Sequence, residues 1–390
     1  MKYPPLARRG AHPYAAPMPY ARPVLVMLHG ATGGGEAERL LATARVAAAR
    51  QAAGAALAAG FEAVIIATDD PAAFEPVPAG VLIDPDRPGE PFAFGPRLRG
   101  VIARYGLAAP AVMGSGSIPL FGAAQFAHLL RELEAGPDRF VTNNFYSADI
   151  TAFRPGEAIE RAGDLPRDNF LPRRLRDNAG LTAINLPRST ATQFDLDTPA
   201  DLAVLALDET LPTALAGALP RDHLPLAPYR AVMRVLCDRE AELVIAGRVG
   251  AVTWQHLERE TACRKRVISE ERGLATAPPG YRPRSVLGFL LEERGVKRFV
   301  ARLCELGDAV VLDTRVLEAH LGIQPSREDR FRSDLMQPAA IEDDFLRQLT
   351  EAVVDAPKPI LLGGHSLVSG GLMLLNDIAW RENDRRLGIA

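Results

Sequence analysis

The stretch VLVMLHGATGGG at residues 24–35 decides the fold of the first half of this chain. Its run of apolar residues is typical of a strand buried on both faces of a sheet, and the glycines after it predict a flexible loop. Residues 38–59 are rich in alanine and leucine and predict a long helix that Gly60 ends. A second apolar run at residues 63–68 completes a strand–helix–strand unit, which implies two parallel strands.

The same alternation continues through the first half. Apolar runs at residues 80–83, 109–113 and 139–142 alternate with helical patterns at residues 94–105 and 123–135. Strands and helices at this spacing predict an α/β fold with a doubly wound, mostly parallel sheet. Because the strands read as continuous apolar runs, we expect helices on both faces of that sheet.

The length of 390 residues favours two domains. We predict a nucleotide-binding domain at residues 22–210, a Pro- and Leu-rich linker at residues 211–228, and a second, smaller α/β domain at residues 229–390. Strands of this second domain are expected at residues 242–247, 309–312 and 359–362. Helices are expected at residues 253–271 and 285–305, the latter interrupted near Gly295.

Composition excludes several classes of protein. Apolar residues make up 47%, charged residues 24%, and the net charge is -3, so there is no electrostatic case for a nucleic-acid or membrane partner. No apolar stretch reaches the roughly 20 residues that span a bilayer, and residues 1–23 lack the apolar run of a signal peptide. Three widely spaced cysteines predict reduced thiols in a cytoplasm, and the abundance of Ala, Arg and Pro with few Lys suggests a GC-rich bacterial genome.

The glycine loop is the first candidate site. Backbone N–H groups of Gly30, Gly33, Gly34 and Gly35 can approach a phosphate there, helped by the dipole of the following helix, near Arg39. The spacing matches neither the Walker pattern nor the dinucleotide-binding pattern. A tight strand-to-helix turn explains the glycines equally well.

A pair of carboxylates is the second candidate site. Asp195 and Asp197 alternate along a predicted strand end, before a helix that Thr198 caps and Pro199 begins. Two acidic groups at the carboxyl edge of a sheet can hold a Mg²⁺ ion that bridges nucleotide phosphates. A capped loop–helix junction with solvated acids is the alternative.

Three segments give the first half a family resemblance. They are residues 24–41, the segment VMGSGSIPL at residues 112–120, and the segment DLDTPADL at residues 195–202. In this order and spacing the chain resembles, over residues 22–207, the nucleotidyltransferases of the glycosyltransferase-A type fold. The nearest branch is the molybdenum-cofactor and phospholactate nucleotidyltransferase-like group, which has Gly-Asp-x-Pro-Leu and Asp-x-Asp-Thr-Pro-x-Asp-Leu at the second and third segments.

The resemblance implies a nucleotide-dependent transferase. A nucleoside triphosphate would lie over the glycine loop, Asp195 and Asp197 would hold Mg²⁺, and a small acceptor would attack the α-phosphorus and release pyrophosphate. Ser117 stands where the group has a metal-binding Asp, and the loop has Arg39 but no Lys. These departures leave open a non-catalytic nucleotide- or ligand-binding protein with a degenerate metal site.

Further polar residues follow other predicted strands. Asn143 and Asn144, near Tyr146 and Asp149, would contact the acceptor, unless they form only a satisfied polar turn. In the second half, the candidate ligand-binding residues are Asp313, Arg315, Gly364, His365 and Ser366, at two strand ends. An ion pair between Arg315 and Asp313 is the structural alternative. The second half is read as a catalytic, acceptor-binding or dimerisation unit, the last of which would make a homodimer.

Overall fold

The structure is a computed structural model that describes residues 20–30, 33–87, 89–270 and 280–389. Most of residues 1–23, for which no signal peptide is predicted, lie outside these ranges. So do Ala31 and Thr32 of the glycine loop and Glu271 at the end of a predicted helix. Within the described ranges, no helix combines the length and the apolar character needed to cross a bilayer.

The first half forms a mostly parallel sheet, as predicted, and this sheet has seven strands. In chain order the strands are β1 (Val24–His29), β2 (Ala63–Thr68), β3 (Val81–Pro85), β4 (Pro110–Gly114), β5 (Arg139–Thr142), β6 (Ile150–Arg154) and β7 (Thr182–Asn185). Their order across the sheet is β3-β2-β1-β4-β6-β5-β7. Only β6 pairs antiparallel to its neighbours, so the sheet is mostly parallel.

Helices cover the sheet of the first half. They are α1 (Glu36–Ala59), α2 (Phe94–Tyr105), α3 (Ala123–Glu134), α4 (Ala158–Arg161), α5 (Leu171–Asp177), α6 (Thr190–Gln193) and α7 (Pro199–Ala206). The predicted β1–α1–β2 unit is confirmed, and α1 ends at Gly60 with φ +112. Glycine adopts this left-handed backbone conformation with the least strain because it has no Cβ.

The second half forms a smaller, fully parallel sheet. Its strands are β8 (Glu242–Gly247), β9 (Arg264–Ser269), β10 (Ala309–Asp313) and β11 (Ile360–Gly363), in the order β11-β10-β8-β9. Its helices are α8 (Thr213–Gly217), α9 (Leu226–Leu236), α10 (Ala251–Glu260), α11 (Val286–Arg294), α12 (Val296–Leu306), α13 (Arg315–Leu321), α14 (Arg327–Asp334), α15 (Asp344–Val354) and α16 (Leu372–Leu387). The α/β class predicted for both halves is therefore confirmed.

One predicted helix is wrong. Residues 253–271 were expected to be helical throughout, but α10 ends at Glu260 and residues 264–269 form the edge strand β9. No side chain of β9 is fully buried. An edge strand with charged residues lacks the continuous apolar run that marks a central strand, so its sequence resembles a solvated helix.

The two halves share one apolar core. Its fully buried members include Phe194 and Leu202 of the first half and Ile245, Leu361 and Leu375 of the second. Within residues 211–228, expected to be a linker, α8 and its surroundings also contribute leucines to this core. The boundaries between the domains stay a prediction, but the halves pack directly on each other.

Candidate functional site

The first candidate site lies where the chain changes direction across the larger sheet. From β1 the chain proceeds through β2 to β3 on one side, and then returns to place β4 on the other side of β1. Ligands of doubly wound folds bind at the carboxyl ends of the two strands that flank such a switch point. Here those ends meet through a hydrogen bond of 2.9 Å between His29 Nδ1 and Ser115 Oγ, both buried.

A cavity of about 360 Å³ opens at this switch point. Phe92, Phe94 and Leu171 give it apolar walls, and Asp149 and Asp168 are among its polar lining residues. His29 and Gly30 line it from the end of β1. Mostly apolar walls with a few polar groups are typical of small-molecule sites of this size.

Two carboxyl groups meet beside the cavity. The side chains of Asp149 and Asp195 hydrogen-bond to each other. Asp195 also accepts the backbone N–H of Ile118 at 3.0 Å. Asn143 fixes Asp149, because its amide nitrogen donates to Asp149 at 2.5 Å while its oxygen accepts the N–H of Asp149 at 2.9 Å. Asn143 thus orients an acid that the sequence placed only among acceptor contacts.

Burial and like charge both act on this pair. Desolvation raises the pKa of Asp149 to about 6; the charges of Asp197 and Asp168 act in the same direction, and hydrogen bonds with Asn143 and Asp195 act against it. Burial, followed by the charges of Asp149 and Asp197, raises the pKa of Asp195 well above its ordinary value. Buried carboxylates that repel each other favour a proton or a cation between them.

Asp197 has a different partner from Asp195. Asp197 is exposed at the surface, yet desolvation by the surrounding groups raises the pKa of its carboxyl, and the guanidinium of Arg45 in the middle of α1 is the main influence that lowers it. The sequence paired Asp195 with Asp197, and the charge of Asp197 does act on Asp195; the structure adds Asp149 as the side chain hydrogen-bonded to Asp195, and Arg45 as the positive charge acting on Asp197. Among the described residues, no group of three or more His, Cys, Asp or Glu side chains is arranged to hold a metal ion.

The glycine loop is in contact with the second half of the chain. Glu328 of α14 accepts the backbone N–H groups of Ala37 at 3.0 Å and Glu38 at 3.2 Å, at the start of α1. The N–H of Gly35 donates to Glu38 at 2.9 Å. Carboxylates therefore occupy the amide of Gly35, which the sequence predicted to approach phosphate, and the neighbouring first-turn amides of Ala37 and Glu38.

Three further residues of the predicted site, Arg39, Ser117 and Asn144, make local hydrogen bonds and are not brought to the Asp149–Asp195 pair. Exposed Arg39 donates to the carbonyl oxygen of Gly34. Ser117 closes a turn in which its N–H donates to the Gly114 carbonyl at 3.2 Å. Asn144 accepts the N–H of Tyr146 at 3.2 Å, outside the cluster.

Ion pairs engage the charged residues predicted as ligand contacts in the second half. Arg315 donates to both carboxylate oxygens of Asp334 at 2.9 Å and also to the Gly363 carbonyl at 3.1 Å. Asp313 accepts from Arg248 at 2.6 and 3.0 Å. Both acids are fully buried. Arg315 is thus in an ion pair, but its partner is Asp334 rather than the expected Asp313.

The glycine turn after β11 joins the two halves. Ser366 Oγ donates to Asp201 Oδ2 at 2.7 Å, and His365 lies 3.1 Å from Ser369 Oγ through its Nδ1. Gly364 approaches Thr198, so this turn adjoins the segment that carries Asp195 and Asp197. The predicted ligand residues of this turn therefore lie next to the segment of Asp195 and Asp197, although the two are far apart in sequence.

Asp201 should make the stability of the protein depend on pH. Burial raises its pKa to about 7, against about 4 in an unfolded chain. Between these values the folded state holds a proton that the unfolded state has lost, so stability falls as pH rises through about 7. The free energy of unfolding of the wild type should therefore fall between pH 5 and pH 8. In Asp201→Asn, which keeps an oxygen acceptor, we expect this fall to be smaller by about 2 kcal/mol.

Urea unfolding at several pH values measures this difference. Asp164→Asn, which removes an exposed acid, is the matched control and should keep the wild-type pH dependence. An Asp201→Asn curve parallel to that of the wild type would show that Asp201 is ionised in the folded protein at pH 5.

Comparisons with known proteins give likenesses of structure alone. No family model and no curated protein matches the sequence. A cytidylyltransferase from Leptospira borgpetersenii has 14% identity and a TM-score of 0.38, and the match covers 52% of this chain and 95% of that one. A nucleotidyl transferase from Methanothermobacter thermautotroptrophicus has 13% identity and a TM-score of 0.33, covering 43% and 89%. The synthetase of CMP:2-keto-3-deoxy-manno-octonic acid, complexed with CTP, has 15% identity and a TM-score of 0.30, also covering 43% and 89%.

Proposed function

We propose that the protein transfers a nucleotidyl group from a nucleoside triphosphate to a phosphate or hydroxyl of a small acceptor. The observation that carries this proposal is the cavity at the β1–β4 switch point, with the Asp149–Asp195 pair beside it. The three cysteines are unpaired, which suits an enzyme of the reducing cytoplasm.

The cavity suits a flat, partly apolar group such as a nucleobase. Phe92, Phe94 and Leu171 supply apolar surface, and Asp168 and Arg167 supply charge at the same wall. Burial and the positive charge of Arg45 lower the pKa of His29, so its ring is neutral at pH 7 and retains the bond to Ser115. His29 at the end of β1 therefore gives the cavity a fixed, uncharged wall.

The carboxyl pair fits Mg²⁺ on chemical grounds. Protein sites for Mg²⁺ commonly use one or two carboxylates together with substrate phosphates, so a set of three protein ligands is not required. Asp149 and Asp195 are half-buried and hydrogen-bonded to each other, and besides desolvation the charge of Asp149 raises the pKa of Asp195. We therefore assign the metal to Asp195 with Asp149, and place Asp197 beside it facing Arg45. Bound Mg²⁺ would neutralise charge that develops on the transferring phosphoryl group.

The protein's own residues provide the positioning in this mechanism. Asn143 holds the Asp149 carboxyl, and the N–H of Ile118 holds that of Asp195, so both acids are fixed before the ligand arrives. Positions fixed in advance reduce the reorganisation that the reaction needs. The acceptor would approach from the loop that carries Asn144 and the exposed Tyr146.

A non-catalytic ligand-binding protein is the second candidate. Two observations favour it: Glu328 occupies the amides at the start of α1, and Ser117 brings no carboxylate to the acid cluster. Such a protein would use the same cavity but would not release pyrophosphate.

Thermal unfolding with each nucleoside triphosphate, with and without Mg²⁺, tests the proposal. A ligand at 100 times its dissociation constant adds roughly 2.7 kcal/mol to stability, which shifts the melting temperature measurably. We expect one nucleotide to stabilise the protein in a Mg²⁺-dependent way. A Mg²⁺-independent shift would support the binding protein instead, and no shift with any nucleotide would overturn nucleotidyl transfer.

A further inference from the structure

The phosphates of a bound nucleotide need cationic or N–H partners in this fold. The first-turn amides of Ala37 and Glu38 are paired with Glu328, and that of Gly35 with Glu38. Exposed Arg39 turns back onto the loop at Gly34. The phosphate partner must therefore come from elsewhere near the cavity.

Arg45 is a half-buried cation whose Nε has no hydrogen-bond partner among the described residues. It lies on α1, and its Nε is inaccessible to solvent and unpaired. Desolvation lowers the pKa of its guanidinium. A buried N–H donor without a partner is costly, so the Nε of Arg45 needs an explanation.

The surroundings of Arg45 leave room for its side chain. A Cβ at position 116 would lie 2.7 Å from Arg45 Nε, so glycine at this position allows the arginine to reach the acid cluster. The positive charge of Arg45 acts on His29, which lines the cavity, and on Asp197. Arg45 therefore lies near enough to the cavity wall and to the acid cluster for its charge to act on both.

A second arginine comes from the other half of the chain. Arg327, at the start of α14, is close enough for its charge to lower the pKa of Arg45. Its Nε also lies 4.0 Å from Glu38 Oε1. Two guanidinium groups near each other repel, and an anion between them removes that repulsion.

We propose that Arg45 binds a phosphate group of the ligand, and that Arg327 of the second half completes the phosphate site. This inference rests on the proposed nucleotide-dependent function and deepens it. Guanidinium and phosphate match as paired N–H donors and oxygen acceptors, which makes arginine well suited to the role. The second half then contributes directly to the ligand site instead of being only a neighbouring domain.

Calorimetric titration of the full chain, with Mg²⁺ present, tests this site. The probes are inorganic pyrophosphate and the nucleoside triphosphate that gives the largest thermal shift. We expect Arg45→Gln to weaken binding of both probes about 10- to 100-fold, since hydrogen bonds to charged groups are worth roughly 1.5–3 kcal/mol. Arg45→Lys should retain part of the affinity, and Arg327→Gln should weaken binding by a smaller factor.

Two control variants make the result specific. Arg298→Gln, on the exposed surface of α12, should bind both probes like the wild type. Glu328→Ala exposes the amides at the start of α1. If pyrophosphate binds more tightly to this variant, and if Arg45→Gln leaves pyrophosphate affinity unchanged, the proposal is overturned and the helix N-terminus is the phosphate site. Circular dichroism checks folding, and Arg45→Lys decides the question if Arg45→Gln does not fold.

The two probes separate this inference from the proposed function. Nucleotide binding that Arg45→Gln leaves unchanged overturns the role of Arg45 while nucleotide-dependent transfer stands. Arg45-dependent binding of pyrophosphate without binding of any nucleotide supports the phosphate site and overturns nucleotidyl transfer. A wild-type protein that binds neither probe overturns both.

Discussion

Replacing Arg315 with methionine is expected to lower the free energy of unfolding by about 3–5 kcal/mol. Arg315 donates two hydrogen bonds of 2.9 Å to Asp334, which has no exposed surface. Methionine is similar in length but leaves the Asp334 carboxylate buried without its counter-charge. The cost of one uncompensated buried charge exceeds the net value of the intact pair, which is why the single substitution is so damaging.

Urea denaturation of three variants measures this effect. The double variant Arg315→Met/Asp334→Leu should recover most of the lost stability, because it removes both charges together. Arg302→Gln, which breaks an exposed pair with Glu305, should leave the unfolding curve unchanged within error. A stable Arg315→Met variant that instead loses ligand binding would contradict the structural role and return Arg315 to the ligand contacts predicted from the sequence.

Replacing Asp195 with asparagine should slow nucleotidyl transfer about 100- to 1,000-fold, the range for losing one fixed electrostatic contact to a transition state. Asparagine keeps an oxygen that can accept the Ile118 N–H, so the loop should stay in place. The variant loses the negative charge that, with Asp149, would hold the metal. The effect should appear in kcat, because the charge acts on the transferring group.

Initial rates of pyrophosphate release, with the nucleotide identified by thermal shift, measure this loss. Asp164→Asn removes an exposed acid and should retain the wild-type rate. Equal rates for Asp195→Asn and the wild type would exclude Asp195 from the reaction. No pyrophosphate release by the wild type, despite nucleotide binding, would favour the non-catalytic alternative.

Much of the fold could be predicted because it depends on local pattern. The run before His29 and the alanine-rich helix ending at Gly60 correspond to β1 and α1, and residues 94–105 form α2 as expected. Strand β6, the reversed strand of the sheet, and β7 were not predicted. Both are only four or five residues long, and β7 has no fully buried side chain, so its sequence carries little strand signal.

The candidate site was only partly predictable. Asp195 and Asn143 were both singled out, but nothing in the sequence showed that Asn143 would hold Asp149 against Asp195. Arg45 was missed because an arginine in the middle of a long helix usually lies on a solvated face. The feature that accommodates Arg45 is Gly116, because a side chain at that position would collide with the arginine.

The sequence by itself determined most of the segments that form strands and helices, the α/β class of both halves, and the presence of polar residues at several strand ends. These properties follow from apolar runs, helical periodicity and capping residues, which act over a few neighbouring positions. Only the tertiary structure decided which charges meet: Asp149 with Asp195, Glu328 with the start of α1, and Arg315 with Asp334. These partners lie between 19 and 291 positions apart, and their pairing depends on how sheets and helices pack, which no local pattern encodes.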